Sequence, residues 1–236
     1  MKFKHAIVVG ASSGIGAEVV KKLVAGGCKV AGVARRTEPI EALGALAFAH
    51  DVRSYDEAGP LFDRIVEELG GLDLLIYNSG VMPDVEEHEY NFEKDRLMLE
   101  VNVLGGVNWL NLGAAHMEAQ RSGTLVGVSS VAGDRGRRGA PVYTTSKAAM
   151  TAFLEALRNR LHRYGVNVVT VKPGPVRTAM TEGMELPFII DADKAADGLL
   201  KLAGSGTGEG YVPLIWWPIM SIIQRVPSFI FRKTNI

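Results

Sequence analysis

The segment VYTTSKAAM, residues 142–150, sets Tyr143 four residues before Lys147. Four residues is slightly more than one helical turn, so both side chains leave the same face. A phenol is an acid–base group, but its ordinary pKa of about 10 is too high for easy proton transfer at neutral pH. An ammonium one turn away favours the phenolate and lowers that value. Ser130, thirteen residues before Tyr143, adds a hydroxyl at the end of an apolar run. The Tyr–Lys pattern is short, and alone it more often means a ring packed along a lysine stem on a surface helix. Its meaning depends on the elements that position it.

Those elements are legible as hydrophobic periodicity. Short runs rich in Val, Ile and Leu, without polar alternation, mark strands covered on both faces at 6–9, 29–33, 46–49, 72–77, 124–128, 166–171 and 210–214. Amphipathic segments between them mark helices at 14–25, 55–69, 92–119, 143–163 and 192–202, the third long or broken near Gly105-Gly106. The repeating strand–helix order predicts an α/β fold, a three-layer doubly wound parallel sheet of Rossmann type with about seven strands. No repeat, linker or low-complexity segment interrupts it, so residues 1–236 read as one domain. In such sheets ligands sit beyond the carboxyl ends of the strands.

The loops at those ends carry unusual residues. After the first strand comes GASSGIG, with Gly10, Ser12, Ser13, Gly14, Ile15 and Gly16. Its glycines permit a tight turn and let backbone N–H groups approach a phosphate, whose charge the following helix N-terminus favours. The spacing is G-x-x-x-G-x-G, not the commoner G-x-G-x-x-G. The second strand ends in Arg35-Arg36, where NAD-preferring proteins place an acid on the ribose 2′-hydroxyl. With no acid to repel a 2′-phosphate and paired N–H donors to bind it, the expectation is NADP(H) over NAD(H). Asp51 and Val52 follow the third strand, an acceptor for an exocyclic amine such as adenine's and a cover for its ring; an N-cap is the plainer reading of Asp51. Asn78-Ser79-Gly80 follows the fourth, small and polar where backbone passes close to a ligand.

Taken together and in order, these residues resemble the short-chain dehydrogenase/reductase family over nearly the whole chain. The matching elements are GASSGIG, Asp51-Val52, Asn78-Ser79-Gly80, Asn102, Ser129-Ser130, Tyr143 with Lys147, and KPGPVRT at 172–178. The resemblance implies a catalytic tetrad of Asn102, Ser130, Tyr143 and Lys147. Tyr143 would be the general acid or base, and Lys147 would both tune it and bind the nicotinamide ribose. Ser130 would hydrogen-bond the substrate oxygen, and Asn102 would hold a water near Lys147. Pro173, Val176 and Thr178 would be cofactor-binding, Thr178 at the nicotinamide carboxamide. Two positions depart from the family pattern: Val9 stands where threonine is usual and Tyr77 where asparagine is common. Both put loop hydrogen bonding in question more than activity. The competing reading is a catalytically silent NADP-binding regulatory or scaffold protein.

Substrate features are less specific. Family precedent makes about 178–192 a substrate lid, and here it carries Met180, Met184, Leu186, Phe188, Ile189 and Ile190. Methionine repacks easily, so an apolar or adaptable pocket is expected, although core packing explains part of the pattern. Arg135, Arg137 and Arg138 lie between Ser130 and Tyr143. Such a run either borders the substrate mouth, favouring an anionic group, or forms a solvated loop or a subunit contact. The C-terminal segment 211–236 is apolar, with no formal charge from Tyr211 to Gln224. Interrupted by Pro213, Pro218 and Pro227, it is too short to span a bilayer easily. Lid, oligomer interface and peripheral membrane contact through 211–231 are all compatible with it, packing or a lid being favoured.

Bulk numbers narrow the remaining classes. The chain has 236 residues, with 26 Lys plus Arg balancing 26 Asp plus Glu, which suggests no nucleic-acid partner. Cys28 is the only cysteine, and the five histidines lack metal-ligand spacing, so neither a disulfide nor a metal site is expected. The opening MKFKHAIVVG is too short in its apolar part for a signal peptide, making a cytoplasmic location the default. Family precedent implies a homodimer or homotetramer through the helices at 92–119 and 143–163.

Overall fold

The structure is a computed structural model and describes residues 2–234; Met1, Asn235 and Ile236, at the ends of the expected domain, lie outside the described residues. The first strand, β1 (His5–Val9), is buried on both faces. Ala6 and Val8 point into one layer, and Ile7 and Val9 into the other, as the two-residue strand period dictates. The chain continues through α1 (Gly14–Ala25), β2 (Lys29–Ala34), a single-turn α2 (Glu38–Glu41), β3 (Leu46–Ala49), α3 (Tyr55–Leu69) and β4 (Leu74–Tyr77). Next come α4 (Phe92–Leu99), a π-turn (Glu100–Leu104), α5 (Gly105–Gln120), β5 (Gly123–Val128), a 3₁₀ turn (Val131–Asp134), α6 (Pro141–Leu161) and β6 (Val166–Pro173). Two-residue strands β7 (Val176–Arg177) and β8 (Ile190–Asp191) precede α7 (Ala192–Ser205), β9 (Glu209–Val212), α8 (Trp216–Arg225) and α9 (Ser228–Phe231).

Seven strands form one parallel sheet in the order β3-β2-β1-β4-β5-β6-β9. Helices cover both faces, so the expected doubly wound, three-layer architecture is present. One core joins the sheet to α3, α5 and α6 through residues such as Phe62, Trp109, Leu110 and Leu154. The other joins it to α1 and α7 through Val19, Leu23, Ala196 and Leu199. The strand order reverses between β1 and β4, which opens a crevice at their carboxyl ends.

Element boundaries differ from the sequence expectation for local reasons. The fourth strand begins at Leu74 rather than residue 72. Asp73 instead accepts hydrogen bonds from the N–H groups of Lys4 and His5 at the start of β1. The last strand stops at Val212, before Pro213, which has no N–H to donate to the ladder. Helix α6 starts at Pro141, two residues early, because proline's fixed φ suits the first helical position.

The helix expected at 92–119 is indeed interrupted just before Gly105-Gly106. The Gly105 N–H bonds to the Glu100 carbonyl, five residues back, which defines the π-turn. The buried Tyr77 hydroxyl donates to the Val101 carbonyl inside this turn. A Cβ at Gly105 would lie 2.6 Å from the Tyr77 hydroxyl oxygen, so glycine is what lets that phenol reach the backbone. The tyrosine that departs from the family pattern therefore braces the kink. At Val9, the other departure, backbone bonds hold the loop without a side-chain hydroxyl: Gly10 N donates to Val33 O at 2.8 Å, and Asn78 N to Val9 O at 2.9 Å.

The tightest backbone approach is at Gly16, where a Cβ would lie 2.0 Å from the Gly10 carbonyl oxygen and 2.8 Å from Asn78 Nδ2. Gly16→Ala is expected to cost about 3 kcal/mol or more, because a backbone carbonyl cannot swing aside as a side chain can. Urea unfolding checks this, and a loss below about 1 kcal/mol would show that the turn relaxes freely.

Candidate active site

The β1–β4 crevice and the adjoining β5 and β6 ends form a cleft of about 780 Å³. Of the residues singled out in the sequence, Gly10, Ser12, Ser13, Gly14, Ile15, Arg35, Arg36, Asp51, Val52, Asn78 and Gly80 line it, as do Ser130, Tyr143, Lys147, Pro173, Val176 and Thr178. Gly16 and Asn102 do not; they lie behind its wall.

The nucleotide side is built from backbone. Gly10 and Gly14 both adopt positive φ, +87° and +56°, which an L side chain resists. Ser13 precedes α1 in extended backbone without a side-chain cap, and no acid occupies the first turn of that helix. The helix N-terminus thus presents N–H groups to the cleft with no side-chain acceptor on them, which fits a phosphate. Asn78 Nδ2 ties the loop down by donating to the Gly10 carbonyl at 3.1 Å. Arg35 and Arg36 are exposed at the end of β2 and make no hydrogen bond or ion pair among the described residues. Asp51 is ionised, its pKa lowered to about 2 chiefly by hydrogen bonds from the Arg53 guanidinium. That fork reaches both carboxylate oxygens, with Nη2–Oδ2 at 2.7 Å and Nε–Oδ1 at 3.1 Å. The Arg53 partner has no signature in the sequence beyond proximity.

The chemical side is built from α6 and the end of β5. Lys147 is buried, and its Nζ donates to the Val128 carbonyl at 3.0 Å. Burial lowers its pKa to about 8. Ser129 Oγ donates to the Lys147 carbonyl at 2.8 Å, which fixes α6 against the end of β5. Ser130, two residues beyond β5, is in extended backbone and caps the following 3₁₀ turn, its Oγ accepting from Ala132 N at 3.1 Å. Lys147 Nζ stands 5.8 Å from the centre of the Tyr143 ring.

Two of these side chains have contacts that bear on their expected roles. Burial raises the Tyr143 pKa, and the groups that pull it back are the Ser130 hydroxyl and the Arg137 charge. The cation opposing desolvation of the phenol is therefore Arg137, while Lys147 directs its ammonium at a backbone carbonyl. Asn102 does not turn its amide into the cleft to hold a water. Its Oδ1 accepts from Val81 N at 2.8 Å, and its Nδ2 donates to Val81 O at 2.9 Å and to Ser146 Oγ at 3.1 Å. Ser146 in turn donates to the Tyr143 carbonyl at 2.7 Å. Asn102 is thus a clamp between the segment after β4 and the helix that carries Tyr143 and Lys147.

The remaining wall is mostly apolar. The β7–β8 pair, with Arg177 and Asp191 3.3 Å apart, closes the base of the loop between them. From that loop Met180, Met184, Leu186 and Pro187 face the cleft. Opposite stands Trp216 of α8, edge-on to Phe188 at 5.9 Å. The C-terminal segment therefore contributes its inner face, Trp216 and Met220, to packing beside the cleft. Arg135 holds it there, donating to the carbonyls of Ile223 and Gln224 and lying 4.4 Å from the Phe231 ring centre. Of that segment, Asn235 and Ile236 lie outside the described residues. No helix among the described residues is long and apolar enough to cross a membrane.

Comparison with known proteins agrees with this geometry. The short chain dehydrogenase family model matches residues 4–186. The chain belongs to the short-chain dehydrogenase family. An uncharacterized oxidoreductase of Myxococcus xanthus is 32% identical over 229 residues, covering 92% of this chain and 89% of the relative. Carbonyl reductase family member 4 of Xenopus tropicalis is 32% identical over 226 residues, covering 90% and 96%. A short-chain dehydrogenase from Streptomyces avermitilis superposes with a TM-score of 0.81 at 25% identity, covering 94% of each chain. The protein is an oxidoreductase of this family, whose members use a nicotinamide cofactor.

Proposed function

We propose that the protein is an NADP(H)-dependent reductase of ketones or aldehydes, with the reverse oxidation of secondary alcohols open to the same groups. The observation that carries the reading is the convergence of Ser130, Tyr143 and Lys147 on the cleft that also holds the glycine loop and Arg35-Arg36. The capped-by-nothing N-terminus of α1 and the positive-φ glycines fit a dinucleotide's phosphates, and the free arginines after β2 fit a 2′-phosphate. Asp51 and Val52 would hold the adenine, and Pro173, Val176 and Thr178 the nicotinamide. Bound there, the cofactor supplies or accepts the hydride.

The chain's own residues manage the proton. Tyr143 donates its hydroxyl proton to the carbonyl oxygen as that oxygen gains negative charge, and recovers a proton from solvent. Ser130 donates a hydrogen bond to the same oxygen, strongest when the charge is greatest. Lys147, with two N–H donors beyond the one given to Val128, would bind the nicotinamide ribose hydroxyls. Asn102 acts through position, by locking α6 to the segment after β4. A silent nucleotide-binding protein would have no use for Ser130 and Tyr143 facing the cofactor cleft together. Carbonyl reductase family member 4 is a relative whose name matches this reading.

Assembly is a second part of the proposal. Phe92, Leu99 and Leu104 are exposed along one stretch of chain, and we assign them to a homodimer or homotetramer contact formed with the 143–163 helix. Sedimentation velocity reads the state directly, and a monomer at micromolar concentration would remove the assignment. The outer face of α8 and α9, with Trp217 and Phe229 exposed and no acid after Glu209, is assigned to peripheral contact with an anionic bilayer. Failure of the intact protein to float with anionic liposomes would remove that contact.

Titration with NADPH and NADH tests the cofactor reading. NADPH is expected to bind more tightly, and replacing Arg35 and Arg36 together by alanine should weaken NADPH by about tenfold or more while changing NADH by less than about twofold. Tighter binding of NADH to the unaltered protein would overturn the preference. Oxidation of bound NADPH by members of a broad ketone and aldehyde panel tests the enzyme itself; none turning over would leave the silent nucleotide-binding reading.

A further inference from the structure

The three arginines between Ser130 and Tyr143 have separate fates. Arg135 is spent on the C-terminus of α8, and Arg138 stands 3.5 Å from Glu87. Arg137 lines the cleft with Ser130 and Tyr143. Its Nε is buried without a hydrogen-bond partner, and it forms no ion pair among the described residues. The nearest acid whose charge reaches it is Asp134. Both oxygens of that carboxylate are already committed, Oδ1 to Lys172 Nζ at 2.7 Å and Oδ2 to the Tyr211 hydroxyl at 2.8 Å. Lys172 also takes Glu209 at 2.7 Å, and neither acid forms an ion pair with Arg137 among the described residues.

A guanidinium with an unsatisfied, buried donor is costly unless a ligand completes it. Its planar fork matches the two oxygens of a carboxylate. The same cleft is lined by Met180, Met184, Leu186 and Trp216, which offer apolar contact for the body of a substrate. We propose that Arg137 is a specificity-determining residue that binds an anionic group of the substrate, so that the preferred substrates are oxo acids with an apolar body rather than neutral ketones. This rests on the reductase reading above. Binding the anion also neutralises the cation beside Tyr143, so the acid and its anchor are coupled through one side chain.

The test uses straight-chain oxo acids differing in the separation of ketone and carboxylate, each beside its methyl ester, with NADPH as reductant. The best acid is expected to exceed its ester by about tenfold or more in kcat/KM, mostly through KM. In Arg137→Met the acid-to-ester ratio in kcat/KM should fall to about one while NADPH Kd changes by less than about threefold; ester turnover itself is expected to shift, because the variant also removes the cation beside Tyr143. Arg137→Lys should restore part of it, since it keeps the charge and loses the fork. Equal use of acid and ester by the unaltered protein, or a preference that survives Arg137→Met, overturns the proposal. A raised NADPH Kd in Arg137→Met reassigns the arginine to a cofactor phosphate and also overturns it. Calorimetric titration of the NADP⁺ complex with the same acids separates the two readings. Binding that Arg137→Met abolishes, without turnover, would refute the reductase while leaving the anion site standing. No binding and no turnover would refute both.

Discussion

A buried ammonium is the constraint around which the cleft is organised. Lys147 lies in the first half of α6, largely buried at the wall of the cleft. An ammonium has three N–H groups to satisfy, and the described residues supply one acceptor, the Val128 carbonyl. Desolvation accordingly brings its pKa down to about 8, close to the range in which it would lose its charge. Everything near it works to hold it in place. Ser129 fastens its backbone to β5, and the Asn102–Ser146 contact fastens the turn before it to the segment after β4. The π-turn places Asn102, and the Tyr77 hydroxyl braces the π-turn. In the proposed reading, ribose hydroxyls would complete the ammonium's hydrogen bonds, which would link cofactor binding to the placement of α6.

The second constraint is charge at the phenol. One turn of helix puts Tyr143 near Lys147, but nearness in spacing did not decide which cation the phenol feels. The ring is desolvated, so its neutral form is favoured, and Ser130 and Arg137 oppose that shift. In the proposed reading a neutral phenol beside the Arg137 cation gives up its proton when an acceptor arrives. On the same reading the carbonyl oxygen that receives a hydride is such an acceptor, and Ser130, which lines the same cleft, is the second donor to it.

Much of this was readable before any coordinates. The buried strands announce themselves because a parallel sheet covered on both faces needs unbroken Val, Ile and Leu, and the glycine loop because only glycine tolerates Gly10's φ and Gly16's contact with a carbonyl. The carboxyl-end rule then placed nearly every candidate residue on one cleft. Orientation was less legible. Arg135, Arg137 and Arg138 have the same side chain within four positions of a loop, and no periodicity tells which one turns inward. Asn102 looked like a site residue by type and position, yet its amide faces backbone. Two-residue strands such as β7 and β8 have no period to detect. The C-terminal helices were hidden because α8 is apolar on the face that packs and on the face that does not.

The account stands on Tyr143 as the proton donor in a cleft that binds the cofactor independently of it. Tyr143→Phe removes one oxygen and leaves the ring, so single-turnover reduction and NADPH binding can be measured on the same variant. Loss of reduction by more than about a hundredfold, with NADPH affinity within about twofold of the unaltered protein, is the expected result. Reduction that persists within about tenfold would show that the proton comes from elsewhere and would contradict the account.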